Sequence, residues 1–419
     1  MLQLITKSIK KYINYYSSLP SGCYFGIVLH LIESTLSGVC FFLSFYFVKV
    51  LHFNMATAGV MVSFYALGSI FGGFFSGKLA DRFSPWGIVG VSLCLEAGMF
   101  LLLSLTTNLF LLTALLFVLG VSIYSFLTTN TVWVMSECGQ DKTARLQSVN
   151  YLYTASNIGI GLAAIIIIAL EAWGFRGFFI VASVFLFLSA ISLFVYVNSR
   201  NMATSHTIKH QDTEETPTHQ NRLRSQKITR FVLLCTFLVG FIIAQRTTVY
   251  LVYIHQLFPS GGLIGISLIF LLNPLIIILF QTPLVNYLKR VNNIFLVGFG
   301  SCFVALGTAL LCLPLTITSV IIACLVYTAG EMAFFAIAQY VCFQHAPVHK
   351  KGNSIGSFRT IYACSKVFGP VSSGFIYYHL GSNTLWFLDG GIAFVCLLLG
   401  WYYTTYANKT ARDNIPIAS

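Results

Sequence analysis

The chain has 419 residues, 57% of them hydrophobic and only 9% charged, with a mean hydropathy of +0.82. A soluble domain carries roughly a quarter charged residues, so this composition excludes a water-soluble particle and points to an integral, multi-pass membrane protein. The formal net charge of +12 does not indicate nucleic acid. All Lys and Arg except Lys49, Arg176, Arg246 and Lys366 fall in one alternating set of loops and ends, which is the positive-inside pattern. The expected partner of these cations is anionic lipid headgroup on the inner face.

Residues 1–22 are polar and basic. Leu2, Ile5, Ile9 and Ile13 alternate with Lys7, Lys10 and Lys11, as in an amphipathic helix lying on the inner surface. No cleavable signal sequence is read there. Twelve apolar runs of about 20 residues follow, the length of membrane helices. They cover roughly 23–50, 56–78, 86–105, 109–135, 147–170, 177–197, 229–255, 262–284, 293–313, 317–341, 355–380 and 384–406. The runs lack the alternation of a β-barrel. The expected fold is therefore all-α, with an even number of spans and both termini on the cytoplasmic side.

The polar segment 199–228 divides the runs into six and six. It carries His206, Lys209, His210, Asp212, Glu214, Glu215 and His219, a mixture unable to build a core. The spacing of its histidines is too loose for a zinc site. The expected organisation is a bundle over 23–198, a cytoplasmic linker over 199–228, a second bundle over 229–406 and a tail over 407–419. The 11 Cys are scattered through apolar runs without a CxxC pair, so no metal, cofactor or disulfide framework is expected.

Between the second and third runs lies a short charged turn, Gly77-Lys78-Leu79-Ala80-Asp81-Arg82. Gly77 would let helices of the two halves approach closely, and Asp81 would suit the positive N-terminal end of a helix. Gln281 to Arg290, ending in Lys289-Arg290, stands at the corresponding place in the second half. Internal repeats of this kind place a solute site near the bilayer midplane.

These residues resemble the signature of the major facilitator superfamily between its second and third helices. Arg145, with Asn157-Ile158-Gly159-Ile160-Gly161, resembles the fifth-helix pattern of its drug:proton antiporter branches. Lys351-Gly352 and Gly369-Pro370 resemble the eleventh helix. The resemblance implies twelve helices in two pseudo-symmetric six-helix bundles and a monomeric secondary transporter working by alternating access. It also implies that Gly77, Asp81, Arg82 and Arg145 serve gating, with the partner of Asp81 between Lys351 and Arg359. The chain departs from the pattern at Ser84, Pro85 and Trp86, where the family carries cations. It also has no Lys or Arg between Thr107 and Asp141.

Ionisable groups within spans are costly and by default functional. Glu33 shares a helical face with His30, Ser34 and Ser37 and is the expected proton carrier, with His30 beside it. Arg246, with Gln245 and Tyr250, needs an anion, either a solute group or a buried acid. Lys366, Tyr362, Glu331 and Asn157 complete the expected solute cavity, with Lys366 and Glu331 read as a pair. Glu96 reads as a helix–helix hydrogen bond and Asp389 as an anchor near the outer interface.

The expected function is movement of a small organic solute coupled to protons, with export slightly favoured and nutrient uptake as the alternative. The absence of GxxxxGK[ST] disfavours an ATP-driven pump. A non-transporting receptor on the same fold is the competing class. No HExxH or GxSxG motif supports an enzyme. The short loops suit a bacterial inner membrane.

Overall fold

A computed structural model describes residues 19–43, 46–203, 219–246, 249–255 and 262–412. The expected amphipathic segment up to residue 18, His206 and His210 of the linker, and the end of the tail lie outside these residues. The described chain is helical, with no strand among the described residues.

Local chemistry sets most helix starts. Helix α1 (Ser21–Ser37) begins after Pro20 and continues into a 3-10 turn over Gly38–Phe42. Helix α2 (Met55–Ala80) starts where the Asn54 side chain accepts from Thr57 N–H at 2.7 Å. Helix α3 (Pro85–Leu105) has proline in its first position, where its missing N–H costs nothing. Asn108 caps α4 (Leu109–Glu137), and Asp141 caps α5 (Lys142–Ala203) through the N–H groups of Thr143 and Ala144. Gly174, at φ 71°, breaks α5 into two limbs; that left-handed backbone favours glycine.

The second half contains α6 (His219–Arg246), α7 (Val249–His255), α8 (Gly262–Leu288) and α9 (Asn293–Ala309). It ends with α10 (Ile317–His345), α11 (Lys351–Leu380) and α12 (Ser382–Arg412). Helix α6 begins at His219, ahead of the apolar run. Its first turns carry Arg222, Arg224 and Lys227, which a helix end at the membrane surface accommodates.

Ten helical stretches among the described residues are long and apolar enough to cross a membrane. The first limb of α5 and all of α11 complete twelve, with α6 and α7 on the seventh expected span. These two extra crossings are more polar, carrying Asn150 and Asn157, and Arg359 and Lys366, respectively. Both pack between helices of the opposite half.

The two halves repeat one packing scheme. In the first, α3 packs on α4 and on the second limb of α5, and Phe100 meets Phe179 with ring centroids 5.9 Å apart. In the second, α9 packs on α10 and α12. The halves meet through α2 against α11, and through the first limb of α5 against α8 and α10. Tyr153 of α5 stacks on Phe335 of α10 at 5.3 Å.

Candidate functional site

Helix α1 turns its polar stripe inward. His30 and Glu33 are 1% and 0% exposed with no lipid present, so protein surrounds them. Asn130 Nδ2 on α4 donates to Gly26 O at 3.0 Å and lies 3.3 Å from His30 Nδ1. That leaves Nε2 as the donor to Ser156 Oγ, 2.6 Å away on α5. Ser34 Oγ donates to Glu33 Oε2 at 3.2 Å, while Glu33 Oε1 has no hydrogen-bond partner. His30 and Glu33 thus share a face but serve different neighbours.

On the opposing half, the Arg246 guanidinium lies 4.5 Å from the Tyr327 ring centroid and 5.8 Å from that of Tyr250. These three line a narrow cleft with Gly307, Thr308, Ala323 and Cys324. Gln245 faces away: its Nε2 donates to Asp389 Oδ1 at 3.0 Å, with both residues fully buried. Asp389 is therefore an interior tie between α6 and α12. Its carboxyl is turned onto α6 and away from open surface.

Lys366 and Glu331 do not form the expected ion pair. Asn273 Nδ2 of α8 donates to Glu331 Oε2 at 2.7 Å and to Thr328 Oγ1 at 2.9 Å. Arg246 acts on Glu331 more strongly than Lys366 does. The Lys366 ammonium instead sits 4.7 Å from the Tyr362 ring centroid. Tyr362 in turn meets Phe335 edge-on at 5.4 Å. Asn157 bonds back to Tyr153 O on its own helix at 2.9 Å. Glu96 does not make the expected helix–helix hydrogen bond: it is 0% exposed, and neither carboxyl oxygen has a hydrogen-bond partner.

Arg359, expected among the loop cations, is an interior residue. It lies within the bundle, where Nη2 donates to Gln339 Oε1 at 3.1 Å and to Thr131 Oγ1 at 3.5 Å. Glu33 and Tyr124 of the first half lie within its electrostatic reach. Its distance of eight residues from the start of α11, more than two turns, was the available signal. Asn273 was equally visible as an amide inside an apolar run.

At the end bearing the basic loops, the halves are fastened. Gly352 N–H donates to Asp81 Oδ1 at 2.6 Å and Asn353 N–H to Oδ2 at 2.8 Å. These are unpaired amides of the first turn of α11, where the helix dipole also favours an anion. Burial pushes the Asp81 carboxyl up from its ordinary value, and the two amide donors pull it back. A side chain at Gly77 would collide with Gly352 O and Gly356 Cα, so only glycine permits this approach. Arg82 is exposed. Arg145 donates to Gln344 Oε1 at 3.4 Å and covers the Phe343 ring, joining α5 to α10. Gln281 Nε2 donates to Asn150 Oδ1 at 2.8 Å and to Met332 O at 3.1 Å, joining α8 to α5 and α10.

Known structures share this arrangement of helices. The human organic anion transporter MFSD10 (TETRAN) superposes with a TM-score of 0.67 at 14% identity, covering 91% of this chain and 98% of its own. A POT family transporter gives a TM-score of 0.68 at 14% identity, over 93% and 96%. The E. coli fucose:proton symporter FucP gives 0.68 at 13% identity, over 91% and 98%. At these identities the likeness concerns the fold. No curated protein sequence matches the chain. The family model described as Major Facilitator Superfamily matches residues 23–365. With two six-helix halves fastened at Asp81 and a buried polar interior between them, the chain is a membrane transporter rather than an enzyme and belongs to the Major Facilitator Superfamily.

Proposed function

We propose that this protein is a proton-coupled symporter of a small organic solute bearing an anionic group. Glu33 carries the proton, and Arg359, Lys366 and Arg246 provide the field that receives the anion. The observation that carries the reading is the position of Arg359. It reaches from α11 toward the first half, with neutral hydrogen-bond partners and Glu33 in electrostatic reach. Among the described residues, neither Arg359 nor Lys366 has a carboxylate within ion-pair distance.

The coupling follows from charge. An ionised Glu33 offsets part of the field of Arg359 and competes with a solute anion. Protonation of Glu33 removes that competition, so proton and anion bind better together than apart. Coupling free energies between sites are typically about 1–3 kcal/mol, or 5–150-fold in affinity. Mutual strengthening drives co-transport, whereas exchange requires mutual exclusion. This geometry supports uptake over the export that the sequence slightly favoured. Fold relatives that include a fucose:proton symporter and an organic anion transporter agree with the class.

The test is reconstitution into proteoliposomes containing a pH dye, with a panel of organic acids, amino acids and peptides. The expected result is lumenal acidification on adding an anionic solute outside, lost in Glu33→Gln. Alkalinisation would mean exchange. Solute binding without flux in any condition would support a receptor instead.

A further inference from the structure

Glu96 on α3 has no part in that coupling scheme, yet it is the most isolated carboxyl among the described residues. It is 0% exposed, and both of its oxygens lack a hydrogen-bond partner. With no lipid or water counted, such burial means enclosure by protein. Its helix neighbours Ser92, Leu93, Ala97 and Phe100 are also buried. An ionised carboxylate without donors in such a place would cost many kcal/mol, and the group escapes the cost by binding a proton.

The groups facing it are few. Glu33 of α1, Cys40 of the following 3-10 turn and Tyr65 of α2 share one electrostatic neighbourhood with it. Tyr124 of α4 belongs to the same electrostatic neighbourhood as Tyr65. On α5, the second limb carries Arg176, which is exposed and lies beside Tyr46. No cation in this set opposes Glu96, whereas Arg359 opposes Glu33. Cys40 and Tyr65 are partly exposed, whereas Glu96 is not.

We propose that Glu96 is a second proton-binding carboxyl of the first half, linked to Glu33 by charge, so that the transporter carries a second proton with its solute. Binding adds one proton to the Glu96 carboxylate and removes one negative charge, with no other bond made or broken. Because the two acids repel when both are ionised, an ionised Glu33 favours a proton on Glu96, and loading one acid makes the other easier to unload. The proposal rests on the symport reading for its role in transport, but not for the protonation itself.

The experiment has two arms on the full-length protein. In the first, a hydrophobic carbodiimide, which reacts with protonated carboxyls in dry surroundings, is applied near neutral pH and the adducts are mapped by peptide mass spectrometry. Labelling of Glu96 in the unaltered protein, falling as pH rises, is expected. An unlabelled Glu96 beside a labelled Glu33 overturns the proposal. In the second arm, protons moved per solute are measured with Glu96→Gln, which keeps shape and polarity. A twofold drop in that ratio with solute flux retained is expected, and an unchanged ratio overturns the coupling role. If no solute is transported, the symport reading fails by itself while the labelling arm still decides whether Glu96 holds a proton.

Discussion

Asp81 and Gly352 are 271 residues apart in the chain, yet the carboxylate of one accepts the backbone N–H of the other at 2.6 Å. The bond joins the end of α2 to the first turn of α11, and Asn353 N–H doubles it. A charged acceptor at a helix N-terminus is worth about 0.3–1 kcal/mol from the dipole alone. Hydrogen bonds to charged groups add roughly 1.5–3 kcal/mol. Asp81→Asn should therefore release the basic-loop end of the halves and raise the inward-open population several-fold. The check is the thiol-labelling rate of a cysteine placed at Ser357; an unchanged rate would show that Asp81 does not hold the closed state.

Two glycines of α2 should behave differently on substitution. Gly77 faces Gly352 and Gly356 of the other half, so Gly77→Val should push α2 and α11 apart and favour the inward-open form. Gly68 faces Phe117 O within the same half. Gly68→Val should instead lower the thermal stability of the purified protein, with overpacking costing about 1–3 kcal/mol. Equal effects of the two substitutions on thiol accessibility would contradict this division.

Arg246 and Lys366 should differ in their coupling to Glu331. Arg246 dominates the charge felt by Glu331, and Asn273 satisfies the carboxylate directly. A double-mutant cycle on thermal stability, Arg246→Gln with Glu331→Gln, should give a coupling of about 0.5–3 kcal/mol. The Lys366 cycle should be smaller, and exchanging charges between Lys366 and Glu331 should not restore function. Restoration by that exchange would revive the ion pair that the structure lacks.

The Gln245–Asp389 contact is sealed between α6 and α12. Asp389→Leu leaves the Gln245 amide buried without its acceptor, a loss of about 1–3 kcal/mol. Asp389→Asn, which retains an oxygen acceptor, should lose less. Thermal unfolding in detergent checks the order of the two variants; the reverse order would mean that Asp389 acts through its charge.

Much of the architecture was legible in the chain because insertion energies act residue by residue. The apolar runs and the clustering of cations on one set of loops each follow from local transfer costs. The turn at Gly77 to Arg82 was equally visible, since close approach demands glycine and a helix N-terminus welcomes an acid. The ionisable residues could be listed but not connected. Helices that are apolar all round carry little signal of their own rotation, so Lys366 and Glu331 looked like neighbours when only helix order was known.

What the sequence by itself determined is therefore the membrane class, the twelve crossings and the two halves. The tertiary structure alone decided that Arg359 lies in the interior against Gln339 and Thr131, that Asn273 rather than Lys366 holds Glu331, and that Glu96 has no hydrogen-bond partner. The reason is physical. Burial in hydrocarbon depends on each residue's own transfer energy, whereas a side-chain encounter depends on the rotation and tilt of two helices packed through many weak contacts.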